Sequence, residues 1–109
     1  MDYINRIELQ GRVGTVIIGD NMVANFSLVT EPLYKTRDGG AVNEITWHQV
    51  TAWEGRDMPD LTAIAKGTPV HVTGRLRTFK YTNSEGIDRQ LHEVVAYRIR
   101  ILSEEEAGQ

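Results

Sequence analysis

The chain contains no cysteine, which excludes disulfides and thiolate metal sites and suits a reducing compartment. Its first residues, MDYINRIELQ, lack the basic start and apolar run of a secretory signal. No apolar stretch approaches the roughly 20 residues that a membrane helix requires. A soluble, cytoplasmic protein with no membrane partner is expected. Histidine is scarce: His48, His71 and His92 are the only three, and none has a carboxylate at helical metal-ligand spacing. No nucleophile-base constellation assembles either, so neither an enzyme nor a metal or cofactor site is expected. Low-complexity segments and internal repeats are absent, and 109 residues suffice for one core but not two.

An excess of positive charge is also missing, since the formal net charge is −3. Glu104, Glu105 and Glu106 account for all of it; without them twelve acidic side chains face twelve basic ones. Between Arg75 and Arg100 the balance reverses, with Arg75, Arg77, Lys80, Arg89, Arg98 and Arg100 against Glu85, Asp88 and Glu93. Local fields govern ligand attraction, so an acidic chain can still carry a basic groove.

The most informative stretch is Pro69 to Tyr81, PVHVTGRLRTFKY. A strand sends alternate side chains to opposite faces. Val70, Val72, Gly74, Leu76 and Thr78 then form a core face, and His71, Thr73, Arg75, Arg77, Phe79 and Tyr81 a cationic and aromatic one. Guanidinium groups attract phosphates and flat rings offer stacking surfaces to unpaired bases, so the interleaving suits a single-stranded nucleic acid.

The remaining segments read as further strands. Ile4 to Ile18 alternates Ile7, Leu9 and Val13 with Arg6, Glu8, Gln10 and Arg12; Gly11 and Gly14 mark a bulge or bend inside it. The GxxG spacing of Gly11 to Gly14 matches a KH loop, but that loop joins helices and this one lies in a strand pattern. Gly19-Asp20-Asn21 signals a turn, and Met22 to Thr30 follows as a second strand with Ala24, Phe26 and Leu28 inward. Asn25-Phe26-Ser27 fits a glycosylation pattern only by chance in a cytoplasmic chain. Pro32 closes this strand, and Asp38-Gly39-Gly40 reads as a flexible loop tip after Tyr34, Lys35 and Arg37. Glu44 to Glu54 is a third strand, with Val50 and Ala52 on one face and Trp47, Gln49, Thr51 and Trp53 on the other. The tryptophans are either half of a second core layer or an exposed platform.

Pro59, Leu61, Ile64, Ala65 and Gly67 predict a helix of about two turns. The fourth strand, Pro69 to Thr82, and the fifth, Asp88 to Ser103, are joined at Asn83-Ser84-Glu85-Gly86. Fourteen extended residues reach about 45 Å, against a radius of gyration near 13 Å for a globule of this length, so the hairpin should project or curl. The order strand, strand, strand, helix, strand, strand describes an all-β, five-stranded OB-fold barrel spanning residues 1–103, with a short helix between strands three and four and a projecting strand 4–5 hairpin. Residues 104–109 read as a short, acidic, disordered tail.

In VANFSLVT (Val23 to Thr30), ITWHQVTAW (Ile45 to Trp53), KGTPVHVTGRLRTFKY (Lys66 to Tyr81) and EVV (Glu93 to Val95), in this order and spacing, the chain resembles the bacterial single-stranded DNA-binding protein (SSB) family over about residues 4 to 102. The resemblance implies base stacking by Tyr34, Trp47, Trp53 and Tyr81. It implies phosphate contacts from Arg12, Lys35, Arg56, Arg75, Arg77, Lys80 and Arg89, with Arg12, Arg75 and Arg77 foremost. It implies a homo-oligomer, a tetramer with a dimer as the alternative, paired through the first strand and near His48. Three departures stand out: the first hairpin, Thr15 to Met22, is short; the loop after Tyr34 is slightly shortened; and the sequence ends at SEEEAGQ where the family usually carries a long linker and a recruiting acidic tip. The expected function is sequence-tolerant single-stranded DNA binding in replication, recombination or repair. The alternative is a primosome-type OB adaptor that docks other proteins. Stacking and phosphate contacts do not by themselves distinguish DNA from RNA.

Overall fold

The computed structural model describes residues 1–19 and 22–108. The turn expected at Gly19-Asp20-Asn21 therefore lies, apart from Gly19, outside the described residues. Five long strands close a barrel: β1 (Ile7–Ile18), β2 (Val23–Thr30), β5 (Thr46–Trp53), β6 (Pro69–Thr82) and β7 (Asp88–Ile101), in the spatial order β1-β2-β5-β7-β6. β6 returns to pair with β1, and β5 and β7 run parallel, the only such pair among the described residues. This is the OB topology. Alternation explains the core: Val13, Ala24, Phe26, Leu28, Val50, Ala52, Val70, Val72, Val94, Ala96 and Ile99 project inward from all five strands. Each fully buried aliphatic or aromatic side chain there stabilises the fold by about 1.5–3 kcal/mol.

Two irregularities bend the strands far enough to close the barrel. In β1 the register against β2 shifts between Val13 and Val16, around Gly14. In β7 Tyr97 is the extra residue of a bulge, because Thr73 pairs Arg98 whereas Gly74 pairs Ala96. A Cβ at Gly74 would lie 2.3 Å from the Val95 carbonyl oxygen, so only glycine permits this approach.

The two-turn helix expected after Pro59 is reduced to a single 3₁₀ turn, Leu61–Ala63, capped by Asp60. A 3₁₀ turn eclipses i and i+3, which aims both Leu61 and Ile64 into the core. Immediately afterwards Gly67 N–H donates to Val13 O at 2.7 Å and Val13 N–H to Thr68 O at 3.0 Å, and a tight turn closed by Thr68 N–H to Ala65 O, with Gly67 at φ 89°, has already redirected the chain. Those bonds leave no length for a second turn.

A second correction concerns the loop after Pro32. Residues 33–43 form their own hairpin, β3 (Leu33–Lys35) against β4 (Ala41–Asn43), with Asp38 accepting from Gly40 N–H at 3.1 Å and from the Thr36 hydroxyl. All its strand residues are exposed, so no core face announces it in the sequence.

The β6–β7 hairpin does project: pairing continues to Thr82 and Asp88, and the radius of gyration is 16.0 Å. Its core face ends at Gly74, however. Leu76, expected inside, is 43% exposed, and Thr78 is exposed as well, because the hairpin has left the barrel by then. Beyond Ser103 a helical turn, α1 (Glu104–Ala107), is closed by a capping box between Ser103 and Glu106. Glu104 ties it to Arg12 and Glu106 to Arg100.

Candidate nucleic-acid interface

The strand alternation that buries Val50 and Ala52 turns Trp47, Gln49, Thr51 and Trp53 outward. Cross-strand pairing carries this outer face sideways: Ile17, Asn25, Thr51, Val95 and Arg75 form one row across β1, β2, β5, β7 and β6. On the projecting hairpin the same face continues through the pairs Arg77–Glu93, Phe79–Leu91 and Tyr81–Arg89. Tryptophans, arginines and hairpin aromatics thus belong to one continuous surface.

Trp47 is 60% exposed, so the two tryptophans form the platform rather than a second core layer. Its ring reaches across β2 to lie over Gly14, where a Cβ would come within 2.7 Å of Trp47 Cζ3 and 2.5 Å of Ser27 Oγ. Glycine there gives the indole a flat bed, with its other side open to solvent. Trp53 and Tyr81 are also exposed. Tyr34 stands apart on the β3–β4 sheet, exposed, and the Glu44 carboxylate raises its pKa.

The cations divide into two groups. Arg12 is held by Glu104, with two bonds of 2.8 and 3.1 Å, and donates to Gly67 O at 2.9 Å; the carboxylate raises the Arg12 pKa. Arg77 is paired with Glu93 and lies over the Phe79 ring, 5.9 Å from its centroid. Arg75, Lys35, Arg56, Lys80 and Arg89 have no ion pair among the described residues. Arg89 sits directly opposite Tyr81, which places a cation beside a ring. Alternation sets Lys80 on the hairpin face opposite Arg77 and Tyr81, and Lys35 opposite Tyr34. Arg56 lies in the turn after β5.

Two residues matter here that sequence reasoning did not single out. Glu93 is only 8% exposed, and the Thr51 hydroxyl lies 3.0 Å from its Oε2 and 2.8 Å from the Asn25 side-chain amide. Tyr97, on the β7 bulge, follows the Ala52–Ala96 pair and is exposed. Alternation along the fifth strand places Glu93 on the outer face, but its burial follows from neighbours on β5 and β6. His48 is half-buried, its Nε2 3.0 Å from Thr30 Oγ1, and burial lowers its pKa. Among the described residues no three His, Asp or Glu side chains converge as a metal site.

The model of the Single-strand binding protein family matches residues 4–102. The chain belongs to that family. The single-stranded DNA-binding protein of Neisseria meningitidis (serogroup A) is 28% identical over 106 residues, covering 91% of this chain and 60% of the relative. This chain thus spans about 60% of that relative's length. The mitochondrial single-stranded DNA-binding protein of Oryctolagus cuniculus is also 28% identical, over 94% of this chain and 77% of its own. Among solved structures, a Plasmodium falciparum SSB in complex with ssDNA superposes with a TM-score of 0.76 at 24% identity, covering 94% of this chain and 98% of that one. A small single-stranded DNA-binding protein from Streptomyces coelicolor gives 0.66 at 23% identity, covering 96% and 99%. Both likenesses establish that the SSB-type barrel is the fold of this chain.

Proposed function

We propose that the chain binds single-stranded DNA without marked sequence preference and shields it during replication, recombination or repair. The observation that carries this reading is the outward pairing of Trp47 and Trp53 on β5, on the same surface as Arg75, Tyr81 and Arg89. Rings stack on bases, the free cations neutralise phosphates, and duplex is excluded because its bases already stack on each other. Family membership supports the reading. Stacking contributes about 1–3 kcal/mol per base, so Tyr34, Trp47, Trp53 and Tyr81 together supply about 4–12 kcal/mol before ordering costs.

One barrel offers a short path for a strand, and several barrels tracked by one strand gain by effective concentration. A homotetramer, with His48 near a subunit interface, is the assembly this reading favours, acting on DNA in the cytoplasm. Light scattering at micromolar concentration tests it; a persistent mass of 12.3 kDa, one chain, refutes it. Binding itself is tested by titrating oligo-dT and a duplex of equal length while following tryptophan emission. Preference for oligo-dT with quenching is expected. Equal affinity for duplex, or unchanged emission at saturation, overturns the stacking reading.

A further inference from the structure

We propose that Arg77 is not a phosphate contact but a fixed guanidinium plate on which a base stacks, and that Glu93 is the residue that positions it. The inference rests on the single-stranded DNA reading and assigns one residue of that surface a different task from its neighbours.

The structure separates Arg77 from the other arginines by what holds it. Glu93 Oε1 accepts from Arg77 Nη2, and the Thr51 hydroxyl lies 3.0 Å from Glu93 Oε2, so both carboxylate oxygens are engaged. The Glu93 side chain is 9% exposed, whereas that of Arg77 is 47% exposed. Pulling Arg77 away to meet a phosphate would leave a nearly buried carboxylate without its cation, and stranding a buried charge costs far more than a surface contact returns. The Arg12–Glu104 pair is the instructive contrast. Its side chains are 45% and 73% exposed, so water can take over from Glu104 when a phosphate arrives. Arg12 is releasable in a way that Arg77 is not.

What Arg77 retains is shape. Its guanidinium lies over the Phe79 ring, on the face it shares with Arg75 and Tyr81, with Glu93 setting its position in the sheet. A planar group held by a carboxylate and within cation–π reach of an aromatic ring, yet half-exposed, offers a base a surface to stack on, as guanidinium planes do in single-strand recognition. Because Glu93 neutralises it, the pair brings no net charge to the DNA backbone. Its contribution to binding is then insensitive to salt.

The test is the salt dependence of oligo-dT binding for the unaltered chain and four variants. Arg75→Ala removes a free cation and flattens the slope of log Kobs against log salt by about 0.7, equivalent to about 2.6-fold across a fourfold change in salt. The double variant Arg77→Ala/Glu93→Gln removes the plate without stranding a carboxylate, so it weakens binding about tenfold and leaves the slope unchanged. Arg77→Lys keeps the charge but not the plane, and is expected to fail to restore affinity. Glu93→Gln retains the shape and frees the cation, steepening the slope by about 0.7. A slope flattened by the double variant as much as by Arg75→Ala, or full affinity in Arg77→Lys, overturns the proposal while leaving single-strand binding intact. Should the variants carrying Glu93→Gln not fold, Arg77→Lys still decides, since it keeps the cation beside Glu93 and removes only the plane. Failure of the unaltered chain to bind oligo-dT removes the underlying reading and this inference together.

Discussion

Gly14 never needs to touch DNA for its replacement to weaken binding. A Cβ at this position would stand 2.7 Å from Trp47 Cζ3, 3.1 Å from Cη2 and 2.5 Å from Ser27 Oγ. Comfortable carbon contacts begin near 3.5 Å, so the ring must retreat by about 1 Å or tilt off its bed. Gly14 is not among the glycines with positive φ, so its backbone accepts alanine without strain. Alanine also gains about 0.4–1 kcal/mol by restricting the unfolded chain. That gain offsets much of the steric cost to folding, and the melting temperature should move little. The stacking position is displaced all the same, and the loss should approach that of removing the ring, about 1–3 kcal/mol or roughly 5- to 150-fold in Kd. Fluorescence anisotropy with a labelled oligo-dT measures it, in a cycle of Gly14→Ala, Trp47→Ala and the double variant. The glycine effect should disappear once Trp47 is gone. Additive losses, or unchanged affinity in Gly14→Ala, would refute the reasoning that Gly14 serves as the bed of Trp47.

Gly74→Ala should act on stability instead, because its Cβ meets the Val95 carbonyl at 2.3 Å and backbone cannot swing aside as a side chain can; a loss of about 2–4 kcal/mol is expected in urea unfolding, and a loss under 1 kcal/mol would contradict the close approach. The Arg12–Glu104 contact should depend on pH. Arg12 lowers the folded pKa of Glu104 below its ordinary value of 4.5, so the contact's contribution is complete above that value and vanishes as pH falls through the lowered one. Amide protection factors in Glu104–Ala107, referenced to the unfolded chain's own exchange rate at each pH, should fall below about pH 4 and hold steady from pH 5 to 8; a change centred near neutrality would show that this ion pair does not hold the turn. His48 gives the opposite end of the acid range. Burial lowers its folded pKa, so the unfolded chain binds the proton more readily and stability should decline as pH falls from 6.5. Urea midpoints of the parent and His48→Gln between pH 7 and 5 check this, and parallel curves would exclude His48 as the cause.

Period-two alternation in Ile7 to Val13, Val23 to Thr30, Thr46 to Trp53 and Pro69 to Gly74 determined which side chains enter the core, because a pleated strand has only two faces and one must be apolar. The motifs on those strands likewise placed Trp47 and Trp53 together and set Arg75, Arg77 and Tyr81 on one side. Three things were decided only by tertiary structure. The helix shrank to one 3₁₀ turn because hydrogen bonds between Val13 and Gly67–Thr68, 54 or more positions apart in the chain, claim the following residues for the barrel. The β3–β4 hairpin carries no buried face, so nothing in its local pattern distinguishes it from a loop. And which arginines remain free to meet a phosphate depended on carboxylates distant in sequence: Glu104 reaches Arg12 across 92 positions and Glu93 reaches Arg77 across a hairpin. Charge is written in the chain one residue at a time, but its availability depends on how close folding brings an opposite charge and on how much water remains between them.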